Sequence, residues 1–381
     1  MNDKTIVLVS NTSWFLYNFC QGLLRALERR GFRVVCLVPH DDYSQRLCEE
    51  FNVTLRTMPM DGKSTGPARE GKCLFWLFGQ LRELRPAFVF NFTIKANIYS
   101  GLACRALNLP YANTVTGLGT AFLHDSRLFR QVRRLYGVAN AGATRVFFLN
   151  PDDRELFEHE GMLQKVAWDM LPGAGVDVAR FGFKPLPAEG PFTFLLIARL
   201  LGDKGVREYV AAAEQVRAAH PETRFLIVGP KGVSNRTAIE DDEVDAWHAR
   251  GVVEYVGAQD DVRPWLAQAH VLVLPSYREG MPSTVLEAAA MGRPAIVTDV
   301  PGCRHAVTEG ETGWLCRVKD AEALATRMRD CLAMTPWALS RVGVAARRRA
   351  EKEFSQDIVV TGYLACLESG LTSHQRVKME A

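Results

Sequence analysis

Four charged side chains fall into two short pairs in the second half of this 381-residue chain. Glu279 and Glu287 stand eight positions apart in Tyr277-Arg278-Glu279-Gly280-Met281-Pro282-Ser283-Thr284-Val285-Leu286-Glu287, and Arg199 stands five before Lys204. The apolar run Val271-Leu272-Val273-Leu274-Pro275 reads as a buried parallel strand. Ser283 to Met291 reads as a helix ended by Gly292 and blocked by Pro294. Ser283 and Thr284 are candidate N-terminal caps, so unpaired amides and a positive dipole end point back at the strand's carboxyl edge. An anion resting on that helix start, with a carboxylate on either side to hold hydroxyls, describes a sugar attached to a diphosphate. Arg199 and Lys204 follow another strand, where a guanidinium and an ammonium could clamp the same diphosphate. Taken alone, the two cations read more readily as solvated loop charges. Gly229, in the turn Val228-Gly229-Pro230-Lys231-Gly232, permits close approach of a ligand.

The two glutamates do not suit hydrolysis. Retaining glycosidases need carboxyls about 5 Å apart and inverting ones up to roughly 9.5 Å, whereas eight positions along a helix rise about 12 Å. The pair is better placed to hold two ends of one elongated ligand.

Elements that position these groups alternate regularly. Thr5 to Ser10 is a strand, the turn Asn11-Thr12-Ser13 leads into a helix to Arg30, and Arg33 to Val38 is the next strand. Such a start predicts a doubly wound parallel sheet. The first turn lacks the Gly-x-Gly-x-x-Gly fingerprint, which argues against nicotinamide or flavin there. A second series of strands, at Phe192 to Ile197, Arg224 to Val228, Val252 to Val256, Val271 to Leu274 and Ala295 to Thr298, predicts a second α/β unit. Phe181 to Pro191, rich in proline and glycine, is the linker candidate. The expected organisation is residues 1–183 and 184–355, a cleft between them, a long helix over about Ala321 to Phe354, and a last helix at 356–369 packing back on the first domain.

Bulk properties agree with a soluble two-domain protein, 48% hydrophobic and 23% charged, with no run long enough to span a bilayer. Nine scattered cysteines and eight unclustered histidines argue for reduced thiols and against a disulfide framework or zinc site. Residues 1–184 carry 23 Lys and Arg against 17 Asp and Glu, the remainder 23 against 26. A basic first half suits a membrane surface, a lipid diphosphate or nucleic acid.

The Glu279-x7-Glu287 spacing, the Arg199/Lys204 pair, Gly175-Val176-Asp177 and the Gly302 to Gly313 segment resemble retaining nucleotide-sugar glycosyltransferases of family 4, with the GT-B fold of two facing Rossmann-like domains. Ser10 to Phe19, Asn91 to Tyr99 and Thr116-Gly117-Leu118-Gly119-Thr120 are similar to bacterial enzymes of polysaccharide and lipid-linked glycan assembly, among them N-acetylgalactosaminyltransferases acting on undecaprenyl-diphosphate sugars. The resemblance implies a UDP-sugar donor and a polyprenyl-diphosphate-linked sugar acceptor. It implies no metal or other cofactor, in keeping with the absence of an Asp-x-Asp motif, and no nucleic-acid partner. Arg199, Lys204 and the Ser283/Thr284 amides would stabilise the leaving diphosphate. Glu279 and the Gly280-Met281-Pro282 backbone would hold the donor sugar, and Glu287 the ribose. For the acceptor the first domain offers Asn11, Thr12, Lys95, Asn97, Thr116 and Gly117. Thr116 stands where many relatives carry a histidine, and His124 is the nearby candidate to replace it. A peripheral place at the inner face of the membrane follows, with Trp14, Phe15, Phe75, Trp76, Phe78 and the Arg127, Arg130, Arg133, Arg134 run as contact candidates. A GT-B sugar-nucleotide epimerase and a non-catalytic scaffold of a polysaccharide assembly complex are the competing readings.

Overall fold

A computed structural model describes residues 4–60, 66–118, 127–233 and 235–380. The chain forms two compact units, Met1–Ala174 with Gln356–Ala381, and Gly175–Ser355.

In the first unit the elements are β1 (Thr5–Val9), α1 (Ser13–Phe19), α2 (Gln21–Arg29), β2 (Arg33–Val38), α3 (Tyr43–Glu50), β3 (Val53–Thr57), α4 (Pro67–Leu84), β4 (Phe88–Phe92), α5 (Ile94–Ala106), β5 (Tyr111–Val115), α6 (Arg127–Asn140), β6 (Arg145–Phe148), α7 (Pro151–His159) and β7 (Trp168–Met170). Its seven strands lie in the order β3-β2-β1-β4-β5-β6-β7, all parallel. Winding reverses between β1 and β4. Strands buried on both faces need continuous apolar runs, and β1, β4 and β5 are buried throughout. The edge strand β3 is only partly buried, and its mixed Val-Thr-Leu-Arg-Thr lacks the apolar run that marks the central strands. The predicted first helix is broken at Cys20, the C-cap of α1 and N-cap of α2.

The second unit contains β8 (Thr193–Ile197), a 3-10 turn (Gly202–Lys204), α8 (Val206–Ala219), β9 (Arg224–Val228), α9 (Asp241–Ala249), β10 (Glu254–Gly257), α10 (Arg263–Gln268), β11 (Val271–Leu274), α11 (Ser283–Ala290), β12 (Ala295–Thr298), α12 (Cys303–Ala306), β13 (Gly313–Cys316), α13 (Ala321–Leu332) and α14 (Pro336–Glu353). Six parallel strands run β10-β9-β8-β11-β12-β13, with the reversal between β8 and β11. The long helix expected from Ala321 to Phe354 is two, since Thr335 caps a new helix that starts at Pro336, whose ring cannot continue the preceding one.

The final helix α15 (Gln356–Glu380) belongs to the first unit. Tyr363 sets its ring 4.9 to 5.9 Å from those of Phe147, Phe90 and Phe92, and its hydroxyl lies 3.2 Å from that of Thr114. Residues 175–183, placed with the first domain from composition, belong to the second unit. Val176 donates its amide to Phe354 at 2.8 Å, and Arg347 donates to the Val178 and Phe181 carbonyls. Long-range backbone contacts, invisible to composition, decide that boundary.

The linker is tied down by Arg293, which is fully buried. Its guanidinium donates to the carbonyls of Leu266, Ala267, Met291, Lys184 and Pro185 at 2.6 to 3.1 Å. Replacing Arg293 by Met takes the donor from the Lys184, Pro185 and Ala267 carbonyls, while those of Met291 and Leu266 keep the Lys184 and Ala269 amides, and buried carbonyls without donors cost about 1–3 kcal/mol each at worst. Arg293→Met is expected to destabilise the second unit by about 3 kcal/mol or more, read as a lower urea midpoint. An unchanged midpoint would refute the staple.

Candidate functional site

Both ends of the candidate site come from the strands that flank the reversal in the second sheet. In open parallel sheets, ligands bind at the carboxyl ends of such strands. Arg199 follows β8 and Glu279 follows β11, and these two strands pair directly. Their loops are joined at the backbone by the Tyr277 amide, which donates to the Asp203 carbonyl at 2.9 Å. The Tyr277 hydroxyl donates to Glu208 at 2.6 Å, which fixes the loop laterally.

Across this joint Lys204 forms an ion pair and hydrogen bond with Glu279. The two side chains retain 20% and 14% of their exposure, so each charge is largely removed from water and depends on its partner. Arg199 is exposed and has no hydrogen-bond or ion-pair partner among the described residues. A cation ready for an anion therefore stands close in sequence to one already neutralised.

Glu279 is held from below by the Pro301-Gly302 turn. Its amide donates to the Pro301 carbonyl at 3.1 Å. Gly302 has φ +80°, and a Cβ there would lie 2.3 Å from the Glu279 carbonyl oxygen. No other residue fits. Sequence alone carried Gly302 only as part of a family-like segment. Its reason is this backbone packing, and no spacing rule announces it. Beneath the pair lies the buried Cys303 thiol, its pKa pushed up by burial and then by the Glu279 charge.

The helix start differs from expectation in one respect. Pro282 is the N-cap of α11, and neither Ser283 nor Thr284 caps it through its side chain. Proline has no amide to orphan, so the cap position demands no acceptor. The amides of Ser283 and Thr284 have no acceptor among the described residues, and the first bonded amide is Val285, to Pro282 at 3.0 Å. Unpaired amides at a helix start are groups of the kind that hold anions, and here they are the amides alone, without a side-chain cap. Gly280 and Pro282 are buried and Met281 half-buried.

Glu287 lies on the same helix, half-buried, and its carboxylate has no hydrogen-bond partner among the described residues. Burial pushes its pKa up to about 7, with the Arg180 charge opposing the shift. Gly229 has a different reason from the one inferred. A Cβ there would meet the Ala198 carbonyl oxygen at 1.8 Å, so protein backbone, beside Arg199, already fills the space a ligand was expected to approach.

Several acceptor candidates prove to be committed within the first unit. The Thr12 hydroxyl caps α1, accepting from Phe15 at 3.1 Å, and Asp41 accepts from the Ser13 amide at 2.7 Å, which closes that helix start to other anions. Lys95 pairs with Glu70 at 2.7 Å. Asn97 is a correction: it is fully buried and donates to the Thr114 carbonyl at 2.8 Å and the Tyr136 hydroxyl at 3.2 Å. It joins a core that also holds a chain of amides from Asn91 to Asn113 to Asn140. Asn11, Thr116 and Gly117 remain half-exposed beyond β1 and β5. His124, like Gly119 and Thr120, lies outside the described residues.

Comparison with known proteins places this geometry. The family model described as "Glycosyl transferase 4-like domain" matches residues 18–174, and that described as "Glycosyl transferases group 1" matches 191–334. The chain belongs to this family of glycosyltransferases. Both descriptions concern glycosyl transfer, which sets aside the epimerase and scaffold readings. The glycosyltransferase is 26% identical to an N,N'-diacetylbacillosaminyl-diphospho-undecaprenol alpha-1,3-N-acetylgalactosaminyltransferase of Campylobacter jejuni, over 85% of this chain and 88% of that protein. It is 24% identical to a UDP-Gal:alpha-D-GlcNAc-diphosphoundecaprenol alpha-1,3-galactosyltransferase of Escherichia coli, over 79% and 83%. Among solved structures, Anabaena Alr3699/HepE in complex with UDP and glucose superposes with a TM-score of 0.78, at 16% identity, covering 96% of this chain and all of that one. Sucrose-phosphate synthase of Thermosynechococcus elongatus gives 0.75, at 19% identity over 99% of this chain and 100% of that one. The fold is GT-B.

Two outcomes follow from the site. Gly302→Ala must shift the Glu279 peptide, and displacements of about 1 Å near reacting groups cost about a hundredfold in rate. Transfer is expected to fall by about that factor while UDP affinity by calorimetry stays within about threefold; equal losses in both would mean general damage. For Glu287, the raised folded pKa makes stability highest where the carboxyl is protonated, below its ordinary 4.5, and that stability is lost as pH rises through about 7. Glu287→Gln is therefore expected to melt higher than wild type at pH 8, with the gap closing toward pH 4.5. A lower melting point at pH 8 would contradict it.

Proposed function

We propose that this glycosyltransferase moves a sugar, an N-acetylhexosamine by preference, from a UDP-sugar to a sugar on a polyprenyl diphosphate, with retention at the anomeric carbon and without a metal ion. The observation that carries it is the Lys204–Glu279 pair beside the open amides of α11. One member can turn to a phosphate and the other to sugar hydroxyls when a nucleotide sugar arrives. Arg199 joins Lys204 and the Ser283 and Thr284 amides in stabilising charge on the departing diphosphate, a role that a metal plays elsewhere. Glu287 accepts from the ribose.

In the transfer step the bond from the anomeric carbon to the diphosphate oxygen breaks as the acceptor hydroxyl oxygen bonds to the same face. The hydroxyl proton passes to the departing oxygen, so UDP leaves carrying it. The alpha-1,3 linkages in the names of both lipid-linked-sugar relatives are what retention of an α-configured nucleotide sugar produces. Their undecaprenol acceptors support a polyprenyl substrate and a peripheral place at the inner face of the cell membrane. No helix among the described residues is long and apolar enough to cross a membrane.

The deciding experiment incubates the protein with UDP-GalNAc, UDP-GlcNAc and related donors, plus an undecaprenyl-diphosphate-linked sugar, in the presence of a chelator. The expected result is one added sugar by mass, α-linked by nuclear magnetic resonance, at an undiminished rate. Lys204→Ala and Glu279→Ala are expected to lose about a hundredfold or more in kcat while remaining folded. A β-linked product, dependence on metal, or wild-type rates in both variants would each remove the corresponding part.

A further inference from the structure

Helices α4, α5 and α6 form one layer on one face of the first sheet. Leu77 and Leu81 of α4, Ala96 and Ala103 of α5, and Val7, Val9 and Val89 of the strands share a core. Ile98 of α5, Tyr136 of α6, Val115 and Val146 continue it. The opposite surface of the layer therefore faces outward.

These helices are basic out of proportion to the chain. The three helices hold nine Lys and Arg against two Asp and Glu, in a protein whose net charge is +3. Both acids are engaged, Glu70 with Lys95 and Glu83 with Arg56. Lys72, Arg82 and Arg134 are exposed and have no partner among the described residues. Apolar side chains stand among them: Phe75 is 78% exposed, Val138 47% and Leu135 41%. Lys72, Phe75 and Arg82 fall within about 80° on α4, and Arg134, Leu135 and Val138 within about 100° on α6, at 100° per residue. Of the other aromatic candidates for such a role, Phe15, Trp76 and Phe78 are half-buried, and Trp14, 39% exposed, lies on α1 outside this layer.

We propose that the outer face of α4 and α6 docks on an anionic phospholipid surface, with Phe75, Leu135 and Val138 entering the headgroup boundary and Lys72, Arg82 and Arg134 contacting phosphates. Cations with aliphatic and aromatic side chains between them match an interface that is anionic outside and apolar beneath. A nucleic acid would satisfy the charges and leave the aliphatic groups exposed. The inference deepens the peripheral placement proposed above and uses none of the donor-site residues.

Co-sedimentation of the full chain with vesicles tests it. The protein is expected to pellet with phosphatidylcholine vesicles containing phosphatidylglycerol, to stay in solution with phosphatidylcholine alone, and to be released by salt. Lys72→Glu/Arg82→Glu/Arg134→Glu is expected to bind about a hundredfold more weakly, each cation near an anionic surface being worth about fivefold or more. Phe75→Ser is expected to weaken binding with the salt dependence unchanged. All of these side chains are exposed, and unchanged melting temperatures confirm folding. Failure of the wild type to pellet, equal pelleting of the variants, or tighter binding to an RNA oligomer than to vesicles would overturn the proposal. UDP calorimetry on the same samples separates the two readings. Vesicle binding without UDP binding removes the donor site and leaves this face, and the converse removes only the face.

Discussion

Lys204 and Glu279 neutralise each other in a setting where neither could stand alone, and most of the second unit serves to keep them there. A largely desolvated ammonium or carboxylate without its partner costs several kcal/mol. The pair is therefore stable only while the loops after β8 and β11 stay in register. The Tyr277–Asp203 backbone bond and the Pro301-Gly302 cradle hold that register.

The same logic accounts for the tension at Glu287. A half-buried carboxylate with no hydrogen-bond donor and a pKa near 7 is a poor choice for stability. Sites that must present unpaired polar groups to a ligand carry such penalties, and the surroundings offset them. Here Arg293 with its five carbonyl partners and the long parallel core supply the offset.

In the first unit the polar residues have mostly inward duties. The Asn91, Asn113 and Asn140 side chains form one buried chain and Asn97 donates to the Thr114 carbonyl, contacts that fix one arrangement of the sheet and its helices, while the side-chain oxygens of Asn91 and Asn97 are buried without a partner among the described residues. Thr12 and Asp41 finish α1, and Glu70 occupies Lys95. What the unit leaves outward is a basic helical layer with isolated apolar side chains, a surface chemistry quite unlike that around Lys204 and Glu279.

By itself the sequence determined the alternation of strands and helices, because parallel strands buried on both faces require unbroken apolar runs such as Val271 to Leu274. It also determined the donor-site candidates, because Arg199, Lys204, Glu279 and the start of α11 all follow such runs directly, and the end of a strand in a wound sheet is where ligands bind. Only the tertiary structure decided how these groups are used. That Lys204 meets Glu279, that Gly302 lies under the Glu279 peptide, that Asn97 is core and Thr12 a cap, and that residues 175–183 join the second unit all depend on contacts between segments far apart in the chain. Residue type and spacing report the local geometry of one segment. They carry no record of which distant backbone will press against it, and a polar side chain that faces a ligand has the same spelling as one that satisfies a buried carbonyl.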